Sequence, residues 1–165
     1  MSAVLVEAGP DKGAVWHFGE PVKEQRALEA GTAWADLSHH NIIAVSGEDR
    51  LKWLHDLTTQ FVSDLQPGVW VPNMILDAKG HIEFQFNCVD DGTTTFLILD
   101  PGFSDQLIEY LTKMKFMLRV DAKDASNDFA VLRALGAPTE IGGPFALVPR
   151  AEVEEMKKTF GGVAT

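Results

Sequence analysis

Residues 81–99 read HIEFQFNCVDDGTTTFLIL, two runs of strand-forming residues joined through Asp91-Gly92. Successive side chains on a strand point to opposite faces, so Ile82, Phe84, Phe86 and Cys88 share one face while Glu83, Gln85 and Asn87 share the other. Asp-Gly tolerates the positive backbone angles of a tight turn, so the two runs are expected to fold back as a hairpin. A hairpin with one apolar and one polar face needs a further layer on its apolar side. It also rules out an all-helical chain.

The flanking sequence supplies candidates for that layer. Pro21 suits the first position of a helix over Pro21–Ala30, and Gly31 its stop. Asn41–Val45 reads as a buried strand. Ser46 and Asp49 have the spacing of a capping box for a helix with Leu51, Leu54 and Leu57 as its apolar stripe. Trp70–Leu76 reads as a strand in which Pro72 requires an edge or a bulge, because proline cannot donate to a ladder. Asp77-Ala78-Lys79-Gly80 is a turn. Asp100-Pro101 opens a helix to about Met114 with Leu107, Leu111 and Met114 on one face. FMLRVDA and DFAVLRALG read as two further strands, the second ending at Gly136, and Ala151–Phe160 as a last helix. Strands and helices mix without the strict alternation of a doubly wound sheet, so the expected class is α+β with mainly antiparallel pairing.

The chain has 165 residues, enough for one substantial core and short for two complete domains. No stretch approaches the roughly 18 uninterrupted apolar residues that a membrane helix needs, and the opening MSAVLVEAGPDKG lacks the basic and apolar regions of a secretory signal. A single cysteine, Cys88, is consistent with a reducing compartment, so the expected location is cytoplasmic. A formal charge of -10 opposes non-specific binding to nucleic acid.

No phosphate-binding glycine loop, zinc spacing or nucleophile elbow is present in the sequence. Cys88, on an apolar strand face, reads as a small buried filler. His39-His40 invites a metal reading, but neighbours on a strand face opposite ways, so no metal site is expected. The polar face of Glu83, Gln85 and Asn87 either meets bulk water or lines a polar pocket. Trp16, Trp34, Trp53 and Trp70 read as core or edge packing, or as a pocket rim suited to a flat heterocycle.

The run WHFGEPVKEQRALEAGTAWADLSHHNIIAVSGEDRLKWLHDLTTQFVSDLQPG carries, in order, a helix ending in Gly, Asp-Leu-Ser, a strand, Gly-x-Asp, an amphipathic helix ending near Thr-x-x-Val, and Leu-x-x-Gly. With MILDAKGHI and the LRALGAP segment near Ala134 to Pro138, it resembles the aminomethyltransferase superfamily of the glycine-cleavage T-protein and its non-enzymatic YgfZ relatives. The similarity covers roughly residues 14–138.

The resemblance implies a folate-binding domain of two interlocked halves over residues 1–138, with 139–165 beginning a following segment. It also implies tetrahydrofolate as ligand. The T-protein acid pair, one of which assists aminomethyl transfer, falls here on Phe84 and Gln85, and the family tyrosine before the leucine-rich strand falls on Pro72. Neither Phe84 nor Gln85 can act as a carboxylic acid, so no catalytic residue is expected. Glu83 could replace only the acid aligned with Gln85. These departures favour the YgfZ branch, which implies an accessory role toward iron–sulfur enzymes. That branch's cysteine signature normally lies beyond position 165, so the chain is expected to be the N-terminal part of a longer protein. His40 matches the position where relatives place an aromatic or Met against the pterin. Asn73, Gln85 and Asn87 are the polar groups suited to the pterin edge. The alternatives are a folate-dependent aminomethyltransferase using Glu83 or a later acid, and an interaction scaffold with no ligand.

Overall fold

The computed structural model of the chain describes residues 3–133, 145–159 and 163–164. In chain order the elements are β1 (Val4–Leu5), β2 (Val15–His17), α1 (Pro21–Glu29), β3 (Ala33–Asp36), β4 (Asn41–Ser46), α2 (Arg50–Leu57), β5 (Val71–Leu76), β6 (Ile82–Asp90), β7 (Thr94–Leu99), α3 (Ser104–Lys113), β8 (Asp121–Asp124), β9 (Phe129–Arg133), β10 (Ala146–Pro149), a single 3-10 turn, α4 (Val153–Thr159) and β11 (Val163–Ala164). The fold is α+β, and among the described residues strand pairing is antiparallel except between β3 and β11. The chain divides into two compact units: residues 41–126 form one, and 1–40 with 127–165 form the other. The second unit is thus assembled from segments on either side of the first.

The unit of residues 41–126 is a five-stranded sheet in the order β5-β6-β7-β4-β8. Pro72 is accommodated because β5 is an edge strand, where its missing N–H breaks no ladder bond. The apolar face behaves as alternation demands: Ile43, Val45, Ile75, Phe86, Cys88, Leu97 and Leu99 join one buried cluster with Trp53 and Leu54 of α2 and Leu107 and Leu111 of α3. Burial of each large aliphatic side chain contributes about 1.5–3 kcal/mol. The Trp53 indole N–H donates to the Met114 carbonyl at 3.0 Å, which fixes the end of α3 against α2.

Three sequence expectations fail here for identifiable reasons. Ser46 does not cap a helix: it is the last residue of β4, paired with Thr94 and Asp121, and Gly47 turns the chain at φ 109° before α2 begins at Arg50. Asp49 precedes that helix, but its carboxylate accepts instead from the Arg119 backbone N–H (2.9 Å) and guanidinium (3.0 and 3.1 Å). FMLRV is not a strand: Phe116 has a positive φ of 46°, Phe116 and Met117 are exposed, and β8 begins only at Asp121. The helix after Asp100-Pro101 starts at Ser104, because Gly102 at φ 91° intervenes.

In the other unit the sheet order is β10-β9-β3-β11, and β1 pairs with β2. Trp34, Ala130, Leu132, Ala146, Val148 and Val153 form its core cluster. Helix α1 begins at Pro21 as expected. The buried Glu24 carboxylate accepts from the backbone N–H groups of Phe18 (3.0 and 3.1 Å) and Glu20 (2.9 Å), anchoring the chain that enters the helix. The expected helix over 151–160 is a 3-10 turn at Arg150–Glu152 followed by α4, with Phe160 outside the described residues. The Gly136 strand end and the Gly-Ala-Pro segment at 136–138 also lie outside them.

Candidate functional site

The polar strand of the 41–126 unit carries its side chains on two faces, and register assigns them. Asn73 of β5 pairs with Phe86, Pro72 with Asn87, and Met74 with Gln85. Paired residues share a face, so Gln85 and Asn87 lie together with Pro72 and Met74 on one side, whereas Asn73 lies with Phe86 on the other. Asn73 is 2 % exposed and its carboxamide is fully engaged. Its Oδ1 accepts from the backbone N–H of Met74 (2.9 Å) and of Gln60 (3.2 Å), and its Nδ2 donates to the Thr58 hydroxyl at 2.8 Å. The residue clasps the loop after α2 to the edge strand. Sequence alternation within β6 alone could not reveal this, because the register between β5 and β6 decides it.

Gln85 is exposed and Asn87 half-buried. Toward the hairpin turn the same face becomes dry, with Val89, Phe96 and Ile98 buried. At the opposite end an open cleft of about 280 Å³ is lined by Ile82, Glu83, Phe84, Gln85, Leu99, Asp100 and Phe103. That volume sits near the lower end of the roughly 300–1,000 Å³ usual for small-molecule sites.

The cleft owes its shape to an irregularity. Ile75 pairs with Phe84 but Leu76 pairs with Ile82, so Glu83 is an extra residue in β6, a β-bulge. A bulge interrupts alternation: Ile82 leaves the buried face and is 58 % exposed. Glu83, Phe84 and Gln85 all border the cleft, while Phe84, paired with the fully buried Ile75, keeps to the apolar face and packs against the core cluster as alternation demands. The Phe84 ring lies 5.8 Å from that of Tyr110, tilted by 51°. Burial, and then the Glu83 charge, push the Tyr110 phenol above its ordinary value. Asp100 and Phe103, which the sequence reading did not single out, reach the cleft from the β7–α3 connection.

Cys88 is buried, as its place on the apolar face implies, and its thiol donates to the Val71 carbonyl at 3.3 Å. Burial pushes this thiol up to about 11, against a contact with Asn73 and with help from the Asp90 charge. Such a group is a filler and a poor nucleophile at neutral pH. Next to it Asp90, 1 % exposed, receives both arms of the Arg50 guanidinium at 2.9 Å, the Gly92 N–H at 2.7 Å and the Thr95 hydroxyl at 2.5 Å. Four donors saturate the carboxylate, which fastens α2 to the hairpin turn.

His40 belongs to the other unit. The His39-His40 pair does not sit on a strand, as the sequence reading assumed: β3 ends at Asp36, β4 starts at Asn41, and the His40 N–H donates to the Leu37 carbonyl at 2.9 Å to close a turn. Within a turn neighbouring side chains need not diverge. The two rings meet edge to face, 4.7 Å apart at 68°, and His39 Nε2 lies 2.9 Å from Asp11 Oδ1. Both line a cleft of about 230 Å³ with Asp11, Trp16 and Asp36. His40 is therefore placed in this cleft, and Gln85 in the cleft of the 41–126 unit. Among the described residues no helix is long and apolar enough to cross a membrane.

No family model matches the chain. In sequence it is 24 % identical over 137 residues to an aminomethyltransferase of Cupriavidus necator, a match covering 82 % of this chain and 31 % of that protein. In structure it resembles the glycine cleavage system aminomethyltransferase T of Bartonella henselae, with a TM-score of 0.63 at 18 % identity over 79 % of this chain and 36 % of that one. The chain has the fold of part of a glycine-cleavage T-protein and spans about a third of the length of each of these two proteins.

Proposed function

We propose that the protein binds a tetrahydrofolate on this fold without transferring a one-carbon unit, as an accessory protein of the YgfZ kind with iron–sulfur enzymes as its clients. The observation that carries the reading is the pair Phe84 and Gln85 where the resemblance puts the T-protein acids. A phenyl ring packed near Tyr110 and a neutral carboxamide leave that position with no group to exchange a proton. Gln85 and Asn87 keep amide donors and acceptors on one strand face, which suits a heterocycle edge that presents both. Asn73 would support the site from behind by holding β5, since its own carboxamide is spent within the protein.

Calorimetric titration of the chain with tetrahydrofolate or a stable folate analogue tests the claim. Saturable heat that Gln85→Ala weakens is the expected result. Absence of heat and of thermal stabilisation at millimolar ligand would refute it, and would leave the scaffold reading. A second reading, a folate-dependent aminomethyltransferase, draws support from Glu83 and Asp100, two carboxylates lining the cleft beside Gln85. It requires folate-dependent release of a one-carbon unit from glycine- or sarcosine-like substrates, and a large rate loss in Glu83→Gln.

A further inference from the structure

We infer that Asp11, His39 and His40 form a binding site for a first-row divalent transition cation, represented by Zn2+. The site lies wholly within the unit of residues 1–40 and 127–165 and needs no folate, although its His40 is also the side chain that the resemblance sets against the pterin.

One donor atom from each of the three side chains lies within 4.8 Å of the others. His39 Nε2 is 2.9 Å and His40 Nε2 is 3.9 Å from the same Asp11 Oδ1. A tetrahedral cation with bonds of about 2.0–2.2 Å to nitrogen and oxygen needs donors roughly 3.3–3.5 Å apart. The two separations from Asp11 bracket that value, and the three donors together lie within 4.8 Å, so side-chain rotation would complete the set.

The supporting structure holds these groups before any ion arrives. Asp11 sits at the tip of the β1–β2 hairpin, whose turn is closed by Gly13 N–H to Val6 O and by Val6 N–H to Ala14 O, both at 2.9 Å. The His39-His40 turn is pinned on its other side by the Arg150 guanidinium, which donates to the Ser38 carbonyl at 2.9 Å. Asp36 lines the same cleft but is committed to Ser38 and to Lys157 at 2.7 Å, which leaves Asp11 as the carboxylate of the set.

Donor chemistry selects the ion. Two imidazoles and one carboxylate suit Zn2+, Co2+, Ni2+ or Cu2+; magnesium and calcium prefer all-oxygen shells, and copper(I) prefers sulfur. Three protein ligands leave a fourth position for water, opening into the cleft. Binding replaces the His39–Asp11 contact with bonds to the cation.

The test uses the untagged, chelator-treated chain, titrated calorimetrically with ZnCl2 at about pH 7.5 in the absence of folate. The expected result is one equivalent bound. Co2+ should give the visible absorption of a four-coordinate site. His39→Gln, His40→Gln and Asp11→Asn should each weaken binding by more than the roughly 10–100-fold typical of losing an outer-shell partner. His81→Gln, which removes the exposed His81–Asp77 pair, should leave it unchanged. Near-UV circular dichroism of each variant separates lost ligation from lost folding. No uptake of Zn2+, or uptake that persists in both His39→Gln and His40→Gln, overturns the assignment. Because the titration contains no folate, its failure says nothing about the folate proposal.

Discussion

Replacing Asp90 by Asn should cost a large share of the stability of the 41–126 unit. The substitution conserves shape but removes the charge that faces Arg50, itself only 11 % exposed in its side chain, and gives one corner of the carboxamide a donor where only acceptors fit. Breaking one partner of a buried pair typically costs about 3–5 kcal/mol, because the remaining charge is left desolvated. The reciprocal change, Arg50→Met, should cost less, about 2 kcal/mol, because Asp90 keeps the Gly92 N–H and the Thr95 hydroxyl as charge-assisted donors. The double variant should fall short of the sum of the two by more than about 0.5 kcal/mol, the coupling expected of groups in direct contact. Urea unfolding followed by tryptophan fluorescence would read all three values. A loss below about 1 kcal/mol in Asp90→Asn, or additivity within about 0.3–0.5 kcal/mol, would refute the argument that this network fastens α2 to the hairpin.

Other expectations rest on single contacts. Gly47→Ala places a Cβ 2.0 Å from the Arg119 carbonyl oxygen at a φ of 109°, so it should destabilise by more than about 3 kcal/mol; chemical denaturation checks this. The Cys88 thiol should stay unreactive toward a disulfide reagent at about pH 8 until denaturant is added, and immediate native labelling would contradict its burial. Burial raises the Asp36 carboxyl, but bonds from Lys157 and Ser38 outweigh it and hold the group below its ordinary 3.8. A depressed carboxyl adds stability above that value and loses it as the pH falls through the lower, folded one. Asp36→Asn should therefore lower the melting temperature at neutral pH and flatten its decline below about pH 4, as measured by thermal melts across that range.

The comparison of sequence with structure divides along contact range. The hairpin over β6 and β7, helix α1 from Pro21, the stripe of α2 and the edge position of Pro72 were all legible, because each follows from periodicity or from a residue that cannot serve elsewhere. The Ser46–Asp49 capping box was misread because a distant Arg119 outcompetes a local backbone N–H for the Asp49 carboxylate. FMLRV has strand composition without strand partners for its first residues, and β-propensity is weak without pairing.

The candidate sites show the same division. By itself the sequence determined which chemistry is absent from the resembled acid position, since Phe84 and Gln85 carry no acid in any conformation. It also determined which groups lie on alternate faces of β6 away from the bulge. Only the tertiary structure decided that Asn73 faces inward and is spent on Thr58 and Gln60, that Glu83 is an extra residue in β6, and that Asp11 meets two histidines 28 or more residues away. Local pattern fixes the direction a side chain takes within its own element. Strand register, bulges and the meeting of separate loops set what it faces, and those depend on packing energies summed over the whole chain.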